Sequence, residues 1–342
     1  MRLLVVGGTS FVGRHMTEAA LAAGHEVTLA NRGRTGPDLY PQARHLRIDR
    51  DRHAPDLSAL QGYTWDATLD VCAYWPGQVR ALAAALDGRG GHQLHVSSVS
   101  AYAEDTPAGS DESAPLAELA DLGVAAAADP DGLEMSGQTY GPLKAACERT
   151  AAEVFGTERT VVIRPTYVVG PHDPTGRFCW WLDRVARGGR MLCPGPPDSA
   201  LQVIDARDQA AFAVRLVENG VSGAFHTCSP TPPWTISDLV KRVSEALAVP
   251  PQPVWADADW LAKRKVDGLA FPLWSEGTNE GVLAMDPSKA LAAGLAPRPL
   301  VDTVLDTWEW MRSGGSWRRD GTGLAWPREQ ELLRELAPAS AE

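Results

Sequence analysis

Short apolar runs alternate with stretches of helical periodicity along the first half of the chain. Strands are predicted at Arg2–Val6, Glu26–Ala30, Leu46–Ile48, Ala67–Ala73, Gln93–Ser97 and Thr160–Arg164, and helices at Phe11–Ala23, Val79–Leu86 and Gln138–Phe155. This alternation implies right-handed βαβ crossovers and an α/β, doubly wound parallel sheet with both faces covered. After Gly170-Pro171 the texture changes. Pro171, Pro174, Pro194, Pro196, Pro197, Pro230, Pro232 and Pro233 punctuate the chain around predicted helices at Phe178–Arg187 and Ile236–Leu247, amid many tryptophans. A second, smaller domain is expected at about 171–202 and 228–312. Val203–Ile204 reads as a strand and Gln209–Val217 as an amphipathic helix, so about 203–227 is assigned with residues 1–170 to the first domain. Residues 313–342 form a tail with a helix from Trp326, where Pro327 suits the first helical position and Leu332, Leu333 and Leu336 form an apolar stripe. The acidic, alanine-rich stretch between Ser98 and Tyr140, including Ala117–Ala128, reads either as a lid or as a solvated surface helix.

Charge and cysteine usage narrow the class. Of 342 residues, 32 are basic and 43 acidic, and the formal charge of -11 disfavours nucleic acid and anionic lipid as partners. Five scattered cysteines without a C-x-x-C pair argue against a disulfide framework or a zinc site and fit a reducing cytoplasm. The opening apolar run ends at Gly7, short of a secretion signal, and no stretch is apolar for the length of a membrane span. His92 and His95 flank a strand with no third ligand in view, so no metal is expected.

Two constellations carry chemistry. Gly7-Gly8-Thr9-Ser10-Phe11-Val12-Gly13 lies where the first strand turns into the first helix. There glycine permits unusual backbone angles, the backbone approaches a pyrophosphate held at the helix N-terminus, and Gly13 lets helix pack closely on strand. The second strand ends in Asn31-Arg32-Gly33-Arg34, without the acid that grips the ribose hydroxyls of NAD. Asn31 suits a ribose oxygen, and Arg32 with Arg34 suits a 2′-phosphate, which favours NADP(H) over NAD(H). Tyr140 and Lys144 form Y-x-x-x-K on one helix face, where an ammonium beside a phenol lowers the phenol's pKa from its reference of about 10. Tyr140 then exchanges a proton with an alcohol or carbonyl. Pro142, between them, is expected in the helix's first turn, where its missing N–H removes no bond. Ser97 and Ser98 end the fifth strand, where open parallel sheets bind ligands, and Ser98 is placed to orient the reacting oxygen.

With these residues assembled, the chain resembles the NAD-dependent epimerase/dehydratase branch of the extended short-chain dehydrogenase/reductases, from Arg2 to about Arg312. Arg164-Pro165-Thr166-Tyr167-Val168-Val169-Gly170-Pro171, Val203-Ile204-Asp205-Ala206-Arg207-Asp208 and Asp286-Pro287-Ser288-Lys289-Ala290 add to the likeness. The resemblance implies a Rossmann-type cofactor domain, a smaller C-terminal substrate domain, a small-molecule substrate and often a homodimer. It implies Ser98, Tyr140 and Lys144 as the catalytic set. Gly7, Gly8, Ser10, Phe11, Val12 and Gly13 are implied at the pyrophosphate, Asp49 and Arg50 near adenine, and Ala73, Ser97, Pro165, Thr166 and Val168 along the cofactor. Tyr167, Trp180 and Trp181 are candidates to face the substrate. Where sugar-nucleotide enzymes of the family carry an arginine for the substrate pyrophosphate, this chain has Leu201-Gln202, and Tyr167 replaces their asparagine. Both changes argue against a sugar nucleotide. The expected activity is hydride transfer between nicotinamide and a secondary alcohol or carbonyl. The alternatives are an epimerase or dehydratase that retains its cofactor, and a non-catalytic module binding RNA or a partner, because Gly-Gly-Thr-x-Phe with Asn-Arg-Gly resembles a subgroup that includes RNA-binding members.

Overall fold

Alternate residues of the first strand face opposite sides of the sheet, and both sides are buried. In β1 (Arg2–Val6), Leu3 and Val5 enter one core while Leu4 and Val6 enter another. A parallel sheet sandwiched between helices requires this. The computed structural model describes residues 1–229, 232–266, 268–275 and 281–336. From β1 the chain runs through α1 (Phe11–Ala22), β2 (Glu26–Asn31), β3 (Arg44–Arg47), β4 (Ala67–Asp70), α2 (Pro76–Leu86), β5 (His92–Val96), α3 (Val124–Ala128), α4 (Gly137–Phe155) and β6 (Thr160–Pro165). It continues through β7 (Tyr167–Val169), α5 (Arg177–Ala186), β8 (Arg190–Pro194), β9 (Ala200–Leu201), β10 (Val203–Asp205), α6 (Ala206–Glu218) and β11 (Gly223–Thr227). Last come β12 (Trp234–Thr235), α7 (Ile236–Leu247), β13 (Gln252–Ala256), α8 (Ala258–Ala262), α9 (Ser288–Ala292), α10 (Leu300–Arg312) and α11 (Trp326–Glu335).

Seven strands form one parallel sheet in the order β11-β6-β5-β4-β1-β2-β3. The order reverses at β1, between β2 and β4, and the crevice at the carboxyl ends there is where such sheets bind ligands. The fold is the doubly wound Rossmann type. Residues 203–227 divide their placement: α6 packs against α1 and β11 closes one sheet edge, whereas β10 leaves the main sheet to pair with β7.

The second lobe centres on α5, α7 and α10 around Phe178, Trp181, Leu239, Phe271 and Val304. The tail helix α11 docks on this core through Leu332 and Leu333. Its Glu329 is buried, accepts two bonds from Arg184 Nε at 2.8 and 2.7 Å, and accepts the Leu192 N–H at 2.9 Å. Residues 337–342 lie outside those described.

The segment between Ser98 and Tyr140 does not form one continuous surface helix, one of its two readings. Gly123, at φ 107°, breaks the alanine-rich run into a 3-10 turn at Leu119–Leu122 and the short α3. The segment's start is pinned instead by a buried polar network. Tyr102 accepts a hydrogen bond from Arg164 Nη1 at 2.6 Å and therefore donates its own proton to His226 Nε2, also at 2.6 Å. His226 Nδ1–H then donates to the Asp286 carbonyl at 2.8 Å, while Arg164 pairs with Glu148. A neutral imidazole suits both roles, and burial pushes the His226 pKa down. Burial likewise pushes His95 down to about 3.

These buried groups set two expectations for stability. Glu329→Ala leaves the Arg184 guanidinium buried and unpaired, so urea unfolding should show a loss of about 3–5 kcal/mol. Because His226 and His95 resist protonation only when folded, the unfolded chain binds more protons below about pH 6.5. Unfolding free energy, measured from pH 7.5 down to pH 5, should hold above about 6.5 and then fall by up to about 1.4 kcal/mol per unit for each histidine kept neutral.

Candidate active site

The glycine turn after β1 places α1 directly over the strand ends. A Cβ on Gly13 would run into the Gly7 carbonyl oxygen, so only glycine lets the helix start this close. Thr17 secures the turn by donating its hydroxyl to the Gly8 carbonyl at 2.8 Å and the Gly13 carbonyl at 2.9 Å. Gly8 and Gly13 thus serve the packing of α1 on the sheet. Neither lines the cavity beside them, and Gly13 plays the packing role expected of it.

The second approach is made by α4. Ser136 caps it by accepting the Thr139 N–H at 3.2 Å, and the helix begins at Gly137. Pro142 therefore lies beyond the first turn, so the bond it cannot make is one the helix would otherwise have. Gln138, whose carbonyl loses that partner, is exposed and open to water. A Cβ on Gly141 would collide with the Ser100 carbonyl oxygen, so this glycine sets the distance between α4 and the serine-rich turn after β5. Lys144 is buried, and its ammonium donates to the carbonyls of Ala73 at 2.9 Å and Val96 at 2.6 Å. One of its three hydrogens remains for another acceptor. Ala73 consequently sits beneath Lys144 rather than on the cavity wall.

These approaches enclose a cavity of about 870 Å³ at the carboxyl ends of the strands. Of the predicted residues, Gly7, Ser10, Phe11, Val12, Ser97, Ser98, Tyr140, Lys144, Pro165, Thr166, Tyr167 and Val168 line it together. Tyr140 is half-buried at its rim. The Ser98 hydroxyl accepts the Ser100 N–H and donates to the Ser100 hydroxyl, both at 3.1 Å, so the two serines present a coupled pair. A second cavity, of about 610 Å³, adjoins the first along Gly7, Ser10, Cys72 and Tyr74. Asn31, Arg32, Arg34, Asp49 and Arg50 line it. Asn31 Oδ1 accepts the Gly33 N–H at 2.8 Å, shaping the loop, while its Nδ2 is buried without a partner among the described residues. Arg50 is committed elsewhere. It pairs with buried Asp70 and donates to the Gln78 carbonyl at 2.9 Å, so it floors the cavity instead of reaching freely towards an adenine. Burial opposes ionisation of Asp70, yet Arg50 outweighs it and holds the carboxyl below the usual range.

Two adjoining cavities across the switch point suit an elongated dinucleotide. The wall supports that fit: Ser97 Oγ, Thr166 Oγ1 and both polar atoms of Gln209 are buried without partners among the described residues, and all three side chains line the larger cavity. Native structures rarely leave such groups unsatisfied, and a polar ligand would satisfy them.

Trp180 and Trp181 do not reach this cavity. Both are buried in the second lobe's core, where Trp181 donates to the Pro272 carbonyl and the two indoles pack edge to face at 5.0 Å. Helical spacing from Phe178 turned them inward. Instead, the second lobe contributes Arg177, Thr175, Trp274, Val282 and Leu283. No sequence periodicity marks these residues, because they come from the start of α5 and from irregular segments.

Residues 3–226 match the NAD dependent epimerase/dehydratase family. The 2'-dehydrokanamycin reductase of Streptomyces kanamyceticus is 29% identical over 278 residues, spanning 78% of this chain and 72% of that protein. Among solved structures, UDP-glucose 4-epimerase of Thermus thermophilus, in complex with NAD, shares the fold with a TM-score of 0.64 at 20% identity, covering 92% of this chain and 100% of that one. UDP-glucuronic acid 4-epimerase from Bacillus cereus, also in complex with NAD, gives 0.63 at 16% identity over 92% and 99% of the two chains. The sequence match runs through the glycine turn, the serine-ended strand and the Tyr140 helix that enclose the cavity, and the chain belongs to the NAD dependent epimerase/dehydratase family of enzymes.

Proposed function

We propose that the protein is an NADP(H)-preferring oxidoreductase acting on a carbonyl or secondary alcohol of a small molecule. The observation that carries this reading is the convergence of Tyr140, Lys144 and Ser98 on one cavity with the glycine turn. The nicotinamide would supply or accept the hydride. Tyr140 gives its phenolic proton to the carbonyl oxygen during reduction and recovers it during oxidation. Ser98, coupled to Ser100, orients that oxygen by hydrogen bonding. Lys144, anchored by two strand carbonyls, keeps one N–H that would serve the cofactor ribose and supplies a fixed positive charge one helical turn from Tyr140. Pro165, Thr166 and Val168 would line the nicotinamide side, and Tyr167 would face the substrate.

The relative named as a reductase favours net carbonyl reduction. A retained-cofactor epimerase would use the same residues, and the family's name keeps that reading in view. Purification with tightly held cofactor and no net oxidation of any alcohol would favour it. Preference for NADP(H) rests on Arg32 and Arg34, which are exposed at the second cavity with no acid at the end of β2 to hold ribose hydroxyls.

Tyr140→Phe should lower turnover about 10²–10⁴-fold while NADPH binding, followed by nicotinamide fluorescence, stays within about twofold. Retained turnover would remove the acid/base assignment. Replacing Arg32 and Arg34 together with alanine should weaken NADPH at least about tenfold and leave NADH affinity unchanged, since only the former offers a 2′-phosphate. Equal affinities for the two cofactors in the parent protein would overturn the NADP(H) preference.

A further inference from the structure

We propose that Arg177 is the substrate-specificity residue of this site, and that it selects small carbonyl or alcohol substrates bearing an anionic oxygen group, a carboxylate or a phosphate. The inference rests on the oxidoreductase reading, because it concerns the substrate end of the same cavity.

Arg177 opens α5 and lines the larger cavity beside Tyr167 and Thr175. Its guanidinium is held in place from two sides. Nε donates to the Thr175 hydroxyl at 3.1 Å, and that hydroxyl donates onward to the carboxylate of buried Asp173 at 2.9 Å. The guanidinium carbon lies 5.2 Å from the centroid of the Tyr167 ring. This fixes the head group without using its terminal nitrogens, which make no hydrogen bond or ion pair among the described residues. Elsewhere in the molecule arginines of comparable burial are neutralised directly, as Arg207 is by Asp205 and Asp306 and Arg298 is by Asp208. Arg177 reaches its acid only through the threonine hydroxyl.

The surrounding charges point the same way. Among the described residues lining this cavity there is no aspartate or glutamate, and the two cations are Lys144 and Arg177. Lys144 is occupied by the Ala73 and Val96 carbonyls beneath the cofactor end. Arg177 therefore remains as the cation facing the substrate end, with two parallel N–H groups that match a carboxylate or phosphate edge. Among the described lining residues, a cationic amine placed there would meet a guanidinium and no carboxylate.

Titration calorimetry of the full chain with oxalate, inorganic phosphate and glucosamine, each with and without NADPH, tests this assignment. Oxalate or phosphate should bind, at least about tenfold tighter to the parent than to Arg177→Gln, and glucosamine should bind neither. Arg177→Lys should recover part of the affinity, because it keeps the charge and loses the paired geometry. Preference for oxalate identifies a carboxylate substrate, and preference for phosphate a phosphorylated one. If neither anion binds, if both bind Arg177→Gln as well as the parent, or if glucosamine binds better, the proposal fails. NADPH should bind both variants as it binds the parent. Absence of NADPH binding in the parent counts against the oxidoreductase reading, while the anion comparison without cofactor still judges Arg177.

Discussion

Lys144 is buried, yet its ammonium has backbone carbonyls rather than a carboxylate for partners. The carbonyls belong to Ala73, just after β4, and Val96, at the end of β5, so a single side chain ties α4 to two neighbouring strands. A buried cation is costly to strand, which makes this attachment hard to slide. The α4 side of the cavity takes its position from it. Tyr140 lies one turn earlier on the same helix, and Gly141 lets that turn come against the Ser100 carbonyl. The phenol and the serine pair are thereby brought to one wall. The charge also remains only partly compensated, which suits a position awaiting the polar edge of a cofactor.

Beneath the site, other charges are closed off rather than left open. Arg50 and Asp70 neutralise one another under the second cavity, and Arg164 with Glu148 does the same beside α4. These pairs leave the local field at the cavity to the groups that line it. The Tyr102–His226 link extends the second pair into the excursion after β5, fixing its start near the serine turn. Further along the excursion, Glu112 accepts the His226 backbone N–H at 2.8 Å, Asp131 accepts the Gly77 N–H at 2.7 Å, and the Leu133 carbonyl accepts the Trp75 indole N–H at 3.0 Å.

The second lobe contributes through its tail as well as its helices. Thr322 donates to the Thr175 carbonyl at 3.3 Å, so the segment before α11 touches the turn that presents Arg177. The Arg184–Glu329 pair anchors α11 behind it. The Arg177 end of the cavity is thus braced by residues far along the chain from the Tyr140 helix.

The doubly wound sheet was legible because strand and helix periods depend on local patterning, and Leu3 to Val6 could only be buried on both faces. The glycine turn after β1, the serine end of β5 and the one-turn spacing of Tyr140 and Lys144 could be read as positions lining one cavity, because each is a feature of a single local element. Local spacing could not say which way a side chain points once a helix docks. For that reason Trp180 and Trp181, read as candidates for substrate, turned into the core, while Arg50 was claimed by Asp70 at the end of β4. Arg177 had no signature at all: that its terminal nitrogens stay unpaired among the described residues emerges only when α5 is laid beside Tyr167 and Thr175. Sequence determined which groups are available and which local elements carry them. Tertiary structure decided which remained unpartnered, because pairing of buried charge depends on distances between segments that the chain order does not contain.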